Sequence, residues 1–102
     1  MQKYQLRLYI MGTSPRSQTA IKNLKNLCEN ELKGQYELTI IDVLERPQLA
    51  ENEKIMATPT LIKDLPPPLR RVIGDLSDKE KVIMGLDVVP QLGSDEKGDE
   101  ND

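Results

Sequence analysis

Residues 5–42 hold a strand, a helix and a second strand in direct succession, and no other feature of the chain limits its fold as much. Gln5 to Ile10 alternates Leu6, Leu8 and Ile10 with Gln5, Arg7 and Tyr9, the two-residue period of a half-buried strand. Gly12-Thr13-Ser14-Pro15 breaks that period, with Ser14 placed as a helix N-cap and Pro15 suited to a first helical residue. From Pro15 to about Leu32, the apolar residues Ile21, Leu24, Leu27, Cys28 and Leu32 share one helical face, while Lys22, Lys25 and Glu29 face away. Gly34 closes the helix, and Tyr36 to Asp42 returns as a strand rich in β-formers. A unit of this length needs a right-handed crossover and leaves its two strands parallel. The fold class is therefore α/β.

The second half is less sharply written. Pro47 to Lys54 reads as a short helix, Thr60 to Lys63 as a strand and Leu69 to Ile73 as another, turned at Gly74-Asp75. Pro66-Pro67-Pro68 must interrupt any ladder between those strands. Ser77-Asp78-Lys79-Glu80 has the S-x-x-E form of a capping box, and Val82, Ile83 and Leu86 supply the buried face of a last helix. The order is β-α-β-α-β-β-α. Between Ile55 and Ser77, however, prolines and short apolar runs do not strongly favour one secondary structure.

Composition narrows the function. A chain of 102 residues fits one domain with a small core, and with no Trp, no Phe and three Tyr that core must be aliphatic. Cys28 is the single cysteine, so no intrachain disulfide or cysteine metal cluster can form, and a reducing cytoplasm is the expected compartment. Cys28 lies on the apolar helix face and the chain has no His to act as a base, so it reads as a buried core residue. No segment offers the roughly 20 apolar residues that span a bilayer, and with Lys3 and Arg7 inside the first apolar stretch a soluble protein without a signal peptide is expected. Ser94 to Asp102 holds five carboxylates against Lys97 and should be a solvated, disordered acidic tail, leaving residues 1–93 as a near-neutral domain. That balance disfavours nucleic acid as a partner. The chain also lacks a G-x-x-x-x-G-K-[ST] phosphate loop, and no cofactor or metal is expected.

Ala57-Thr58-Pro59-Thr60 resembles the loop that thioredoxin-like proteins set opposite their reactive cysteines, and the element order fits that fold. Where thioredoxins carry C-x-x-C, this chain reads Gly12-Thr13-Ser14-Pro15-Arg16-Ser17, with no sulfur. Disulfide exchange then lacks both its nucleophile and its resolving group. The stretches LRLYIMGTSPRS, IDVLERPQLAENEKIMATPTL and LPPPLRRVIGDLSDKEKVIMGLD, followed by the acidic tail, closely resemble the KaiB family, small cyanobacterial circadian-clock proteins that bind the ATPase KaiC. The resemblance spans most of the chain. It implies a thioredoxin-like fold with an alternative KaiB ground-state packing of the C-terminal half, the ground state being a homo-oligomer, tetramer or dimer.

The resemblance also implies roles for particular residues. Gly85 and Asp87 match positions whose replacement shifts the balance toward the thioredoxin-like state, and Tyr4 matches a residue of the ground-state packing. Pro59, Pro66, Pro67 and Pro68 lie in the region that would change, and slow X-Pro isomerisation would contribute to a delay there. Arg7, Arg70 and Arg71 correspond to basic positions of the KaiC-contacting surface, where a guanidinium suits bidentate pairing with carboxylates. Without the resemblance, local sequence reads Gly85 and Asp87 as an ordinary helix end and the arginines as solvated charges. The chain departs from the family pattern at Thr19, usually Arg, and at Glu45, usually Lys. The implied partners are a KaiC-like ATPase, KaiA and a SasA-type or CikA-type histidine kinase, and the implied function is non-enzymatic regulation of a phosphorylation cycle. Two other functions fit the fold: an adaptor that never switches, and a redox enzyme acting through Cys28.

Overall fold

The structure, a computed structural model, describes residues 3–90. The acidic tail expected from Ser94 to Asp102 lies outside the described residues. Four strands, β1 (Tyr4–Ile10), β2 (Tyr36–Asp42), β3 (Thr60–Leu65) and β4 (Arg70–Ile73), make one sheet in the order β2-β1-β3-β4. With helices α1 (Pro15–Leu27), α2 (Pro47–Asn52) and α3 (Lys79–Leu86), the order along the chain is the expected β-α-β-α-β-β-α. β1 and β2 are parallel from Tyr4↔Tyr36 to Ile10↔Asp42, whereas β3 runs antiparallel to β1 and β4 antiparallel to β3.

One face of the sheet carries the main core. Leu6, Leu8 and Ile10 of β1 pack with Ala20, Leu24 and Leu27 of α1, and Leu61, Val82 and Leu86 close the cluster from the second half. The other face holds a smaller group, Tyr9, Ile41 and Ile62, packed with Val43 and Ile55. β1 is half-buried as its alternation suggests at exposed Gln5 and partly exposed Arg7, but Tyr9, on the same face, is 0% exposed. The period-2 pattern separates the two faces correctly; Val43 after β2 and Ile55 in the turn after α2 pack on the second one, which a strand's own sequence does not encode.

The first helical run reaches Leu32 as expected, but three details of the helices differ from the sequence reading. The first helix ends at Leu27 and continues to Leu32 as a π-helical turn, closed by Lys33 N–H donating to the Cys28 carbonyl at 3.1 Å. Cys28 and Leu32 are both buried, and left-handed Lys33 and Gly34 end the element. α2 stops at Asn52 because Lys54 turns left-handed in a Schellman motif, with Ile55 N–H bonded to Ala50 O and Lys54 N–H to Glu51 O. Ser77 is not the cap of α3: its N–H is taken by Asp75 Oδ1, and Asp78 caps instead, accepting from Lys81 N–H at 3.2 Å.

Candidate functional site

The turn that opens α1 uses hydroxyls where thioredoxins would carry thiols. Ser14 Oγ accepts from Ser17 N–H, and buried Ser17 Oγ lies 2.8 Å from Ser14 Oγ and accepts from Met11 N–H at 3.0 Å. Gly12, at φ 58, donates its N–H to Asp42 Oδ1, and a Cβ there would meet Leu44 Cδ1 at 3.2 Å. These side chains are committed to holding the turn. Across from it, the Thr58-Pro59 peptide is cis, Pro59 O accepts from Gly74 N–H, and Thr60 Oγ1 donates to Ala57 O at 2.6 Å.

Between the turn and the proline loop lies a shallow cleft of about 150 Å³ lined by Met11, Val43, Ala50, Ile55, Met56 and Thr58. Met11 at 47% and Met56 at 90% exposure flank it, and exposed Leu44 sits beside Gly12. A second cleft of about 280 Å³ joins Ile40 and Leu49 with Asp42, Glu45 and Arg46. Exposed apolar side chains rimmed by charge suit protein docking rather than small-molecule chemistry. Among the described residues, no group of three or more acidic, His or Cys side chains is placed to hold a metal ion. Glu45 and Thr19 are both solvent-exposed.

The arginines divide. Register places Arg7, Ile62 and Arg71 side by side on the α2 face, while Arg70, opposite Lys63, lies on the α1 and α3 face. Arg7 is already engaged within the chain: Nε and Nη2 donate to Asp64 at 2.6 and 2.8 Å, and Nη1 donates to Tyr9 Oη at 2.6 Å. The bonds to Asp64 hold the guanidinium above its ordinary pKa, and burial raises that of Tyr9. Arg71 donates to Glu53 O, and both β4 arginines are exposed. Sequence reasoning missed Glu53, Asp64 and Tyr9 as partners of Arg7. Tyr9, two residues on along the same face of β1, was within reach of the alternation, whereas Glu53 and Asp64 are brought to Arg7 only by the tertiary fold.

At the other end of the sheet, Tyr4, Lys63, Gly85 and Asp87 come together. Tyr4 is buried and its hydroxyl accepts from Val89 N–H at 2.8 Å, tying the segment after α3 to β1. Lys63 is buried, and its ammonium donates to Asp87 O at 3.3 Å; burial lowers its pKa, an effect Asp87 opposes. Asp87, at φ 56, is the left-handed residue of a Schellman motif, with Val88 N–H bonded to Ile83 O and Asp87 N–H to Met84 O. A Cβ on Gly85 would sit 2.7 Å from Val72 Cγ2 of β4, so this glycine allows α3 to approach the sheet. Alanine fits there only if Val72 yields. Pro66, Pro67 and Pro68 form the bend between β3 and β4, with cis peptides before Pro66 and Pro68.

Cys28 is fully buried, and burial, with a smaller contribution from Glu29, pushes its thiol up to about 12. It remains a core residue with negligible thiolate at neutral pH.

Comparison with known proteins places this surface in context. The sequence profile of the KaiB domain matches residues 7–88. The chain is 62% identical over 91 residues to "Circadian clock protein KaiB3" of Synechocystis sp., covering 89% of each chain. It is 60% identical over 86 residues to "Circadian clock oscillator protein KaiB" of Rippkaea orientalis, covering 84% of this chain and 83% of that one. Among solved structures, the N-terminal domain of Synechococcus elongatus SasA aligns with a TM-score of 0.69 at 29% identity, over 84% of this chain and 85% of that one. Mitochondrial thioredoxin 3 of Saccharomyces cerevisiae aligns at 0.68 with 16% identity, over 85% and 79% of the two chains. The fold is thioredoxin-like.

Proposed function

Because this chain belongs to the KaiB family, we propose that it is a non-enzymatic clock regulator that binds a KaiC-like ATPase ring in the thioredoxin-like state and modulates its phosphorylation cycle. The observation that carries the reading is the likeness to the N-terminal domain of SasA, in a chain whose first helix opens without a thiol. A fold shared with that domain supports competition for one site on the ring. KaiA and a SasA-type or CikA-type kinase are the further partners of this reading. Adenine nucleotide and magnesium belong to the ATPase.

In this reading the residues after Ile55 also adopt a second packing, in which the chain is a homo-oligomer that does not bind the ring. Apparent affinity then falls with the fraction of chain in the binding-competent state. Gly85 and Asp87, at the joint where α3 meets β3 and β4, are the positions at which substitution moves that fraction. Glu45 sets the charge of the docking surface and thus which KaiC is recognised.

Size-exclusion chromatography with light scattering, alone and after hours with a KaiC from the same genome, tests this for wild type and Asp87→Arg. Slow complex formation by wild type and fast formation by the variant is expected. Absence of a complex with either form would overturn the reading and leave an adaptor for another partner.

A further inference from the structure

β3 carries one residue that its neighbour does not accommodate. β1 pairs Gln5 with Leu65 and Leu6 with Lys63, so Asp64 is the extra residue of a bulge. Bulges re-aim side chains. Here the carboxylate turns to Arg7 and takes two hydrogen bonds from one guanidinium edge, at 2.6 and 2.8 Å. This is the bidentate geometry in which Arg–carboxylate pairs are strongest and most demanding of position.

The pair is the centre of a larger joint. Arg7 Nη2 also reaches Glu53 Oε1 at 3.4 Å, and its Cζ lies 5.6 Å from the Tyr9 ring centroid. Arg71 of β4 donates to Glu53 O at 3.1 Å. A single cation facing two carboxylates thus joins β1, the end of α2 and β3, and Glu53 extends the joint to β4. The partners stand 46 and 57 residues from Arg7 in sequence. Side-chain exposures of 21% for Arg7, 32% for Asp64 and 35% for Glu53 keep the group partly shielded from water. The other ion pair between the two halves among the described residues, Lys79–Glu31, leaves Lys79 54% exposed and so has little weight.

We propose that the Arg7–Asp64 pair, supported by Glu53, is the latch that selects the thioredoxin-like packing of the second half and so sets the fraction of chain able to bind. This rests on the reading above that the residues after Ile55 have a second packing. Apolar side chains can repack in more than one arrangement with modest loss. A bidentate pair cannot, because it forms only while β3 lies against β1 in this register with its bulge at Asp64. Arg7 is then a positioning residue for the docking surface, through α2 and the proline loop.

The test is the ratio of the two folded states of the full-length chain, read from ¹⁵N–¹H NMR signals in slow exchange and from light scattering. It is applied to wild type, Asp64→Asn, Glu53→Gln and the exchange Arg7→Asp/Asp64→Arg. Asp64→Asn, which keeps the side-chain volume, is expected to lower the thioredoxin-like fraction relative to the other state about tenfold, equivalent to about 1.4 kcal/mol. Glu53→Gln should lower it by about threefold or less, and the exchange should recover part of the loss left by Asp64→Asn. Two folded states whose ratio stays within about twofold in every variant, with urea midpoints lowered equally, would overturn the latch alone. A single folded state in all of them and in Asp87→Arg would overturn the switching reading and the latch with it.

Discussion

The unit β1-α1-β2 and the unit β3-β4-α3 have similar numbers of elements but hold together differently. In the first, α1 lies on its sheet through Ala20, Leu24 and Leu27, and β1 pairs with β2 along its whole length. In the second, the shorter α3 buries Val82 and Leu86, while Ile73, Met84 and Val89 stay exposed. Polar ties make up part of the difference: Lys63 to Asp87, Tyr4 to Val89 and Arg7 to Asp64. Both units place non-glycine residues in the left-handed region that glycine favours, Lys33 in the first and Leu76 and Asp87 in the second. A core made of apolar contacts resists rearrangement through its volume, whereas a packing held by a few directional bonds can be exchanged for another at small free-energy difference.

The comparison can be broken most forcefully from the first unit. Leu24→Ala, at a fully buried position of α1, should cost about 2–5 kcal/mol and lower the urea midpoint for every probe together. A loss confined to signals of β3, β4 and α3 would show that the first unit is not the common foundation.

In the second unit, Gly85→Ala forces a contact with Val72 and should cost about 1–3 kcal/mol in this packing. The same substitution in a Val72→Ala background should be less costly, and a double-mutant cycle by urea denaturation measures the coupling. The family resemblance implies that replacing Gly85 favours this state. That direction requires Val72 to move aside, and absence of coupling would show that the two do not meet.

Cys28 reports on the first unit through pH. Its thiol is raised in the folded chain from an ordinary value of 9.0 to about 12, so unfolding becomes more favourable as pH rises past 9.0. The stabilising contribution is complete below that pH and falls by up to about 1.4 kcal/mol per unit until the folded thiol ionises. Cys28→Ala should flatten the stability curve between pH 9 and 10 relative to wild type, and equal slopes would mean that the thiol is not buried. A maleimide reagent at pH 8 should modify native wild type only as fast as the first unit opens.

The smallest effect concerns the end of α3. Asp87→Gly relieves a left-handed aspartate and should stabilise this packing by about 0.5–1 kcal/mol, seen as slower amide exchange at Val88 and Val89. Faster exchange would mean that the Asp87 side chain, not its backbone conformation, holds the joint.

Much of the fold could be read before any coordinates. The element order follows from Leu6, Leu8 and Ile10 at period two, from Ser14-Pro15 as a helix start, and from Gly34 as its end. The burial of Cys28 followed from its place on the apolar stripe that runs from α1 into the π-helical turn. The joint of Arg7 with Glu53 and Asp64 could not be read, because charged residues 46 and 57 positions apart are placed together by register. The capping box at Ser77 failed for a different, local reason: Asp75, two residues earlier and next to left-handed Leu76, took the Ser77 amide.

Local sequence by itself determined which segments are strands and helices in the first half, since side-chain period and turn chemistry act within a few residues. Tertiary structure alone decided that Tyr9 is buried, that Arg7 is bound to Asp64 and that Lys63 meets the end of α3. Each of those depends on the second half lying against β1 in one register, and the free energy of that arrangement comes from contacts between residues far apart in the chain.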